Sequence, residues 1–155
     1  MGFTVTIREA VKEDRTALAD LRFELWPDGP LEEHLHEFDV QLATGMNGTL
    51  PGATFVAEDP QGSLTGFVDV GLRSHADGCN PERPAGYIEG WYVREAVRNC
   101  GIGKGLIQAA EDWSRAHGCM EMASDALFDN HVSLAAHEAL GFEVVDRCIR
   151  FRKSL

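Results

Sequence analysis

The chain has 155 residues and a mass of 17.0 kDa, with 44% hydrophobic and 25% charged residues. This size and composition are typical of one globular domain, which buries about 68–70% of its unfolded surface. The formal charge of −11 at pH 7 argues against nucleic acid and against an anionic membrane as partners. Because no apolar run approaches the ~20 residues that cross a bilayer, we expect no membrane segment, and we expect no signal peptide.

The negative charge indicates what kind of ligand suits the chain, and the cysteine pattern indicates its compartment. A negative surface concentrates cations, so a polycationic ligand suits this chain, although the charge taken alone is explained as well by solubility. The cysteines are scattered and form no C-x-x-C pair, so we expect neither a disulfide framework nor a metal site. A reducing, cytoplasmic location is therefore predicted. The four positions are Cys79, Cys100, Cys119 and Cys148.

The chain begins with a strand and two helices. Residues 4–8 alternate between polar and apolar side chains and predict a strand. Asp14 is placed to cap a first helix, and the turn at residues 27–30 separates it from a second one. Both helices have apolar residues at helical spacing. The two stripes are Ala17, Leu18, Leu21 and Leu25, and Leu31, Leu35, Phe38 and Leu42.

Strands and loops dominate the middle of the chain. Residues 44–52 predict a loop, and residues 54–58 and 64–72 predict two strands joined by a turn. Residues 74–86 contain glycine, two prolines and several charges, so they predict a long loop, which is more often functional than idle. Residues 87–93 predict the central strand.

The last third predicts a helix from residue 102 to about residue 117, a short strand at 121–124 and a helix at 130–140. A C-cap turn at 141–142 leads to a final strand at about 143–151. The resulting order, β-α-α-β-β-β-α-β-α-β, predicts an α/β fold with a mixed sheet covered by helices.

The most informative segment, residues 98–104, reads Arg-Asn-Cys-Gly-Ile-Gly-Lys and lies between the central strand and the next helix. A helix start has unpaired N–H groups and the positive end of the peptide dipole. Glycines there let the main chain approach an anion closely, so the segment predicts a pyrophosphate site. An ordinary glycine turn is the alternative, and the flanking strand and helix favour the anion site.

These elements resemble the GNAT superfamily of acetyl-CoA-dependent N-acetyltransferases. Residues 98–104 match its R/Q-x-x-G-x-G/A motif, and Asn130 with residues 137–142 matches its N…Y-x-x-L-G-F motif. Other segments resemble one subgroup, the small chromosomal aminoglycoside 6′-N-acetyltransferases, and the resemblance covers nearly the whole chain. It implies one N-acetyltransferase domain over residues 1–155. The subgroup segments are residues 25–27, 88–90 and 121–125, followed by Asn130 and Ser133.

The resemblance implies acetyl-CoA as co-substrate. The backbone of residues 91–93 is expected to pair with the pantetheine arm like an added strand, and residues 99–104 to hold the pyrophosphate. Asn130 is expected to hydrogen-bond the pantetheine, to cap the following helix, or both. A backbone N–H near Tyr92 or Val93 is expected to hold the thioester oxyanion. The implied cofactor-binding residues are Trp91, Tyr92, Val93, Arg98, Asn99, Cys100, Gly101, Ile102, Gly103, Lys104 and Asn130.

An aminoglycoside carries several positive charges, so its site needs carboxylates and an apolar surface for a sugar face. The resemblance carries Trp26, Glu89, Asp125 and Asp146 onto substrate-contacting positions, and His75 stands where some relatives have a tyrosine. Each also has a structural alternative. Trp26 is equally explained as a core residue, Glu89 as a surface residue and Asp125 as a turn cap.

Acetyl transfer needs a neutral amine, so a base must accept the ammonium proton. Glu89, acting through water, is the first candidate and Asp125 the second. His137 replaces the tyrosine of many relatives and either donates a proton to the departing CoA thiolate or packs on its helix. We expect direct attack with no protein nucleophile, so Cys100 is a packing or spacer residue.

Two other functions are compatible with the sequence. One is acetylation of a different polycation, such as a polyamine or a basic protein tail. The other is an acetyl-CoA-binding module without catalysis, which the presence of Glu89 and Asp125 disfavours. The resemblance also suggests a homodimer, since relatives often share strands or complete each other's sites.

Overall fold

The computed structural model describes residues 4–155, and in that range it has six strands and four α-helices. Residues 1–3, part of the segment judged not to be a signal peptide, lie outside the described residues. No helix within residues 4–155 is both long and apolar enough to cross a membrane. The elements are β1 (Thr6–Glu9), α1 (Arg15–Leu25), α2 (Leu31–Thr44), β2 (Met46–Asn47), β3 (Leu50–Glu58), β4 (Leu64–Arg73), β5 (Ala85–Val93), α3 (Ile102–Ala116), β6 (Met122–Ser124) and α4 (His131–Ala139).

The strands form one mixed sheet in the order β1-β3-β4-β5-β6, and β2 pairs separately with β3. The β1–β3, β3–β4 and β4–β5 pairs are antiparallel, whereas β5 and β6 are parallel. The chain passes from β5 to β6 through α3, as a parallel crossover requires. The predicted α/β class and the mixed sheet are confirmed.

Helices cover both faces of this sheet because each has an apolar stripe. On one face, α3 buries its stripe against Val68, Val70 and Ile88 of the central strands. On the other face, α1 and α2 pack their apolar residues around Phe67. The stripe of α3 consists of Ile102, Leu106, Ile107 and Ala110, and the opposite layer contains Leu18, Leu21 and Phe38.

A buried ion pair fixes α1 to the sheet. Arg22 Nη2 lies 2.7 Å from Asp69 Oδ1 on β4, and the two side chains are only 3% and 8% exposed. Thr54 Oγ1 lies 2.5 Å from the same Asp69 oxygen and 2.7 Å from Gln41 Oε1 of α2. Because a buried charge is stable only when it is paired and hydrogen-bonded, this network holds both helices against β3 and β4.

Asp14 occupies the predicted N-cap position of α1, but the prediction that its side chain caps the helix is wrong. Asp14 ends a short 3₁₀ turn, and its carboxylate binds Arg8 Nη1 at 2.7 Å and accepts the Val11 N–H at 2.8 Å. Although burial opposes ionisation, the hydrogen bonds from Arg8 and Val11 lower the pKa of Asp14. The capping residue is therefore drawn away from α1 by a nearby guanidinium, which no local pattern discloses.

The strand ends also differ from the prediction. The predicted loop at 44–52 contains β2 and the beginning of β3, and β5 begins at Ala85 rather than at residue 87. The turn at 141–142 is confirmed, since Gly141 has φ 89° and the Phe142 N–H donates to His137 O at 3.1 Å.

The predicted final strand at 143–151 is wrong for this structure. Within the described chain, residues 143–155 form no strand and no backbone–backbone hydrogen bond. Val145 instead lies against Gly78 in the loop before β5. An alternating pattern makes a strand only when a neighbour supplies the ladder, and here no neighbouring strand does so.

Candidate active site

The site is organised around the end of the β5–β6 pairing, which we call the fork. β6 pairs with β5 through three residues, and the last pair is Ile88 with Ser124. Beyond the fork, residues 89–93 of β5 have β4 on one side and no strand on the other, as far as residues 4–155 are described. The β4–β5 register also shifts between Asp69 and Val70, which leaves Glu89 as the extra residue of a bulge. One edge of the central strand is therefore open.

Past the open edge lies the start of α3. Gly101 has φ 82° and no side chain caps the helix. A Cβ at Gly101 would meet no atom within 4 Å, so the space in front of the first helical amides is open. At Gly103, by contrast, a Cβ would lie 3.1 Å from the Trp91 ring, so this glycine lets α3 pack closely on β5. Uncapped amides facing open space suit an anion such as a pyrophosphate.

Apart from Asn130, the cofactor residues predicted from the sequence lie along this edge and helix start. Asn99 adopts φ 62°, a left-handed conformation that asparagine tolerates better than most residues. Arg98 is less available than expected, because its Nε donates to Val93 O at 2.7 Å and its guanidinium lies 5.5 Å from the Tyr92 ring centre. Cys100 is exposed, and its Sγ lies 3.6 Å from Arg98 O.

Glu89 is held by an arginine that the sequence analysis missed. Arg73 Nε donates to Glu89 Oε1 at 2.9 Å, and Arg73 Nη2 donates to Oε2 at 2.8 Å. The guanidinium also lies 3.4 Å from the centre of the Tyr87 ring. The hydrogen bond from Arg73 to Glu89 is the largest cause that raises the pKa of Arg73. Glu89 is therefore oriented at the bulge by a two-pronged ion pair.

Asp125 joins the same cluster through Tyr87, another residue that the sequence analysis missed. The Tyr87 hydroxyl donates to Asp125 Oδ2 at 2.6 Å, and Arg150 Nη2 lies 3.7 Å from the same oxygen. Burial first, and then the hydrogen bond to Asp125, raise the pKa of Tyr87 above its ordinary value. The structure thus brings Glu89 and Asp125 into one cluster on the edge of the central strand.

Trp26 forms an apolar wall against Gly90, the residue that follows Glu89 on β5. Its ring stacks on His34 with centroids 5.8 Å apart and meets Phe67 edge-on at 6.1 Å. A Cβ at Gly90 would collide with the Trp26 ring. Trp26 is half-buried, so it belongs partly to the core and partly to the surface.

Two predicted substrate residues are not brought to the cluster. His75 is exposed and lies 3.7 Å from Asp77 in the loop before β5. Asp146 is exposed on the C-terminal segment and accepts the Arg147 N–H at 2.7 Å. Neither forms a hydrogen bond or ion pair with Glu89 or Asp125 among the described residues.

The Tyr92 hydroxyl points to α1. It donates to Glu24 Oε2 at 2.9 Å, and Arg94 Nη2 lies 3.4 Å from the other Glu24 oxygen. Burial, followed by the hydrogen bond to Glu24, raises the pKa of Tyr92. The hydroxyl is therefore engaged away from the open edge, and only the backbone of Tyr92 lies along it.

Asn130 and His137 mark the two ends of α4. Asn130 Oδ1 accepts the Ser133 N–H at 3.0 Å, so Asn130 caps the helix. This capping role is one of the two that the sequence analysis predicted for Asn130. His137 is half-buried, with Nε2 2.8 Å from Ser124 Oγ and Nδ1 2.7 Å from Ser133 O. Its ring meets Trp91 edge-on at 5.2 Å. His137 thus lies against the fork.

The chemistry available here rests on carboxylates, backbone amides and an imidazole. In the described part of the chain, no group of three or more His, Cys, Asp or Glu side chains could hold a metal ion. Arg73 and Tyr87 could have been found only from the cross-strand register, because neither lies in a motif.

A sheet with an open central edge, followed by a glycine loop and an uncapped helix, defines an acyltransferase of the GNAT type. The profile of the acetyltransferase (GNAT) family matches residues 12–142, and the chain belongs to this family.

The chain is 38% identical over 157 residues to aminoglycoside N(6′)-acetyltransferase type 1 of Klebsiella aerogenes, covering 100% of both chains. It is also 38% identical over 150 residues to the protein of the same name from Stenotrophomonas maltophilia, covering 97% of this chain and 94% of the relative. The similarity therefore extends beyond the family motifs to the full length of these relatives.

Solved structures agree with this similarity. The structure of AAC(6′)-Iy with the bisubstrate analog CoA-S-monomethyl-acetylneamine has a TM-score of 0.88 at 34% identity, covering 98% of this chain and 99% of that one. AAC(6′)-Ih from Acinetobacter baumannii has a TM-score of 0.85 at 28% identity, covering 98% and 99%.

Proposed function

We infer that this chain is an aminoglycoside 6′-N-acetyltransferase, which transfers the acetyl group of acetyl-CoA to the 6′-amine of these antibiotics and so confers resistance. The observation that carries this inference is the carboxylate cluster of Glu89 and Asp125 beside the open edge of β5. The chain as a whole has a formal charge of −11 at pH 7, so its field attracts an acceptor with several ammonium groups, and the two carboxylates offer it acceptor oxygens. The full-length similarity to aminoglycoside N(6′)-acetyltransferases supports the same substrate.

Acetyl-CoA supplies the activated acetyl group as a thioester. The uncapped amides of residues 101–104, together with Lys104, fit its pyrophosphate, and the open backbone edge of residues 91–93 fits an extended amide-bearing arm. Arg98 contributes mainly by fixing the loop, since its Nε is already bound to Val93 O. Asn130 contributes its amide while it also caps α4.

The acceptor amine is proposed to bind between the carboxylates and the Trp26 wall. An ionised carboxylate offers about four lone-pair sites, and Arg73 uses one on each Glu89 oxygen. Sites on both oxygens therefore remain for an ammonium group or a water molecule. Asp125 binds a second ammonium, and Trp26 covers a sugar face. His75 and Asp146 are proposed as outer contacts that form when their segments fold over the sugar.

Glu89 is proposed to accept the ammonium proton through water, which frees the lone pair that attacks the thioester. A backbone N–H of the open edge near Tyr92 stabilises the oxyanion. Asp125 is the second candidate base, although its Oδ2 already accepts the Tyr87 hydroxyl proton. No protein nucleophile takes part.

The test measures acetyl-CoA consumption with the purified protein. The sharpest substrate pair is two aminoglycosides that differ only in a 6′-amine or a 6′-hydroxyl. We expect turnover of the first and at least about a hundredfold lower kcat/KM for the second. Equal turnover of both would exclude the 6′ position. Higher kcat/KM for spermidine or a lysine peptide would replace the antibiotic with another polycation, and acetyl-CoA binding without any turnover would favour the non-catalytic module.

We further infer that the protein is a homodimer. Exposed large apolar side chains are concentrated after residue 119, in a segment whose last 13 residues have no backbone partner among the described residues. A second copy would cover these side chains and supply a strand neighbour. Light scattering should give about twice the 17.0 kDa chain mass; a monomeric mass would refute the inference. The side chains are Met120, Leu127, Phe128, Val132, Val144, Val145, Ile149, Phe151 and Leu155.

A cytoplasmic location is proposed on the cysteines. Cys79, Cys100, Cys119 and Cys148 are all free thiols, and a reducing compartment preserves thiols. Cell fractionation with a thiol-labelling reagent would test this: we expect the protein in the cytoplasmic fraction with four reduced cysteines.

A further inference from the structure

Ser124 and His137 form a hydrogen-bonded pair at the fork. Ser124 is the last residue of β6 that pairs with β5, and its Oγ lies 2.8 Å from His137 Nε2. His137 projects from α4, and its ring is fixed by edge-on contacts with Trp91 and Phe142, both at 5.2 Å between centroids. Both residues are half-buried. The pair therefore has a defined geometry where the open edge of β5 begins.

The other ring nitrogen determines which way the hydrogen bond runs. His137 Nδ1 lies 2.7 Å from Ser133 O, and a carbonyl oxygen can only accept, so Nδ1 carries a hydrogen. In the neutral ring Nε2 is then an acceptor, and the Ser124 hydroxyl donates to it. In the imidazolium Nε2 donates to Ser124 Oγ, and the hydroxyl hydrogen is free to point elsewhere.

No charged group interferes with this exchange. The polar partners of His137 are Ser124 from β6 and Ser133 from α4, and its other neighbours are the rings of Trp91 from β5 and Phe142 after α4. Within the described residues, His137 makes no hydrogen bond or ion pair with a charged side chain. Among the described residues, the Ser124 hydroxyl is therefore the hydrogen-bond partner of His137 Nε2.

We propose that Ser124 and His137 form a proton relay to the departing thiolate. The inference rests on the proposed acetyl transfer along the open edge of β5. When the C–S bond breaks, its electron pair stays on sulfur. The Ser124 hydroxyl gives its proton to that sulfur while Oγ takes the Nε2 proton of the imidazolium. His137 is left neutral and regains a proton from solvent, so Ser124 is the catalytic donor and His137 resupplies it.

The chain offers a matched control, because a second serine contacts the same ring. Ser133 Oγ lies 3.3 Å from Nδ1, on the helix side, and the Nδ1 acceptor at 2.7 Å is the backbone carbonyl of Ser133, which an alanine retains. Ser124→Ala and Ser133→Ala therefore each remove one hydroxyl next to His137. Only the first removes the hydroxyl at Nε2.

The first measurement is steady-state kinetics with whichever amine the wild-type protein acetylates, together with calorimetry of acetyl-CoA binding. We expect Ser124→Ala to lower kcat at least about tenfold. KM for the amine and the acetyl-CoA affinity should stay within about twofold. Ser124→Thr should restore most of the rate, and Ser133→Ala should match wild type. A Ser124→Ala rate within about twofold of wild type would overturn the relay.

The second measurement needs no activity. Nitrogen NMR of the ligand-free protein should show His137 protonated at Nδ1 and hydrogen-bonded at Nε2, and Ser124→Ala should shift only the Nε2 resonance. A neutral ring with its hydrogen on Nε2 and none on Nδ1 would overturn the relay. Trapping acetylated Ser124 by mass spectrometry would also overturn it, because the serine would then be a nucleophile. If the wild-type protein acetylates no amine, the proposed function fails, and the NMR result still decides whether the pair has the geometry of a relay.

Discussion

Two arginine–carboxylate pairs involve β4, one at Asp69 in the middle of the strand and one at Arg73 at its end, and they differ chiefly in their exposure to water. Arg22 and Asp69 are 2.7 Å apart, with side chains 3% and 8% exposed. Arg73 and Glu89 are 2.8 Å apart, with side chains 43% and 35% exposed. The shortest distances are nearly the same, but Arg73 binds both Glu89 oxygens, whereas Arg22 binds one Asp69 oxygen that Thr54 also contacts.

The difference separates a structural pair from a functional one. Inside the protein, removing one partner leaves a charge that water cannot reach, so the Arg22–Asp69 pair is essential once the fold contains it. At the surface, water and salt screen the attraction, so the Arg73–Glu89 pair contributes little to stability. It orients a carboxylate that remains accessible to a cationic ligand.

The largest effect is expected from Asp69→Asn. This change keeps the shape of the side chain but leaves the Arg22 charge buried without its partner, so the free energy of unfolding should fall by about 3–5 kcal/mol. Denaturant unfolding followed by circular dichroism measures this change. Asp112→Asn, which removes the exposed partner of Arg115, is the control and should leave the unfolding midpoint unchanged. If Asp69→Asn lowered the free energy of unfolding by less than about 1 kcal/mol, the buried pair would be no more important to stability than an exposed one.

Glu89→Gln should have the next largest effect, and it should act on catalysis rather than on folding. We expect kcat/KM for the aminoglycoside to fall about a hundredfold, which corresponds to about 2.7 kcal/mol, because an amide cannot accept the proton. Acetyl-CoA affinity, measured by calorimetry, should be nearly unchanged. Glu82→Gln, in the loop before β5, should behave like wild type. If acetyl-CoA binding collapsed in Glu89→Gln, the division of the site into a cofactor edge and a substrate cluster would be wrong.

A pH titration tests the more exposed of the two regions, through the Tyr87 hydroxyl that binds Asp125. Burial and the hydrogen bond to Asp125 raise the pKa of Tyr87, so the folded state holds that proton above pH 10, where the unfolded state loses it. The stabilisation is therefore complete below about pH 10 and is lost as the pH rises through the folded-state pKa.

The chain has two tyrosines, so tyrosinate absorbance reads this effect directly. Both should ionise above the ordinary range, since the pKa of Tyr92 is also raised. Asp125→Asn should move the Tyr87 transition toward lower pH and leave that of Tyr92 in place. Unchanged titration curves would show that Asp125 does not act on Tyr87 in solution.

Arg73→Met should have the smallest effect on stability. Because the pair with Glu89 is exposed, the free energy of unfolding should change by about 0–1 kcal/mol. Without the guanidinium Glu89 loses its orientation, so kcat/KM should fall about three- to tenfold. A stability loss as large as that of Asp69→Asn would erase the distinction between the pairs.

Local signals were enough to predict much of the fold. The helix from Ile102, the Asn130 cap and the Gly141 turn each depend on residues within a few positions of one another, and all three are confirmed. They are determined by helix capping, by apolar stripes and by the backbone conformations that glycine adopts. Such features can be predicted from short stretches of sequence.

What was missed depends on contacts between distant parts of the chain. Arg73 reaches Glu89 only because the β4–β5 register shifts by one residue at Asp69, and a one-residue slip exchanges the two faces of a strand. The strand predicted at 143–151 failed for a related reason, since its pattern does not specify a pairing partner. The family resemblance supplied Glu89 and Asp125 but not the residues that hold them.

The contact between Gly90 and Trp26 limits how this enzyme can change under drug selection. Any side chain at position 90 would run into the indole ring, and the Phe67 ring lies 3.4 Å from the same point. A library that randomises the central strand should therefore return glycine at this position, whatever antibiotic is used to select it. New substrate preferences have to arise at positions other than this glycine.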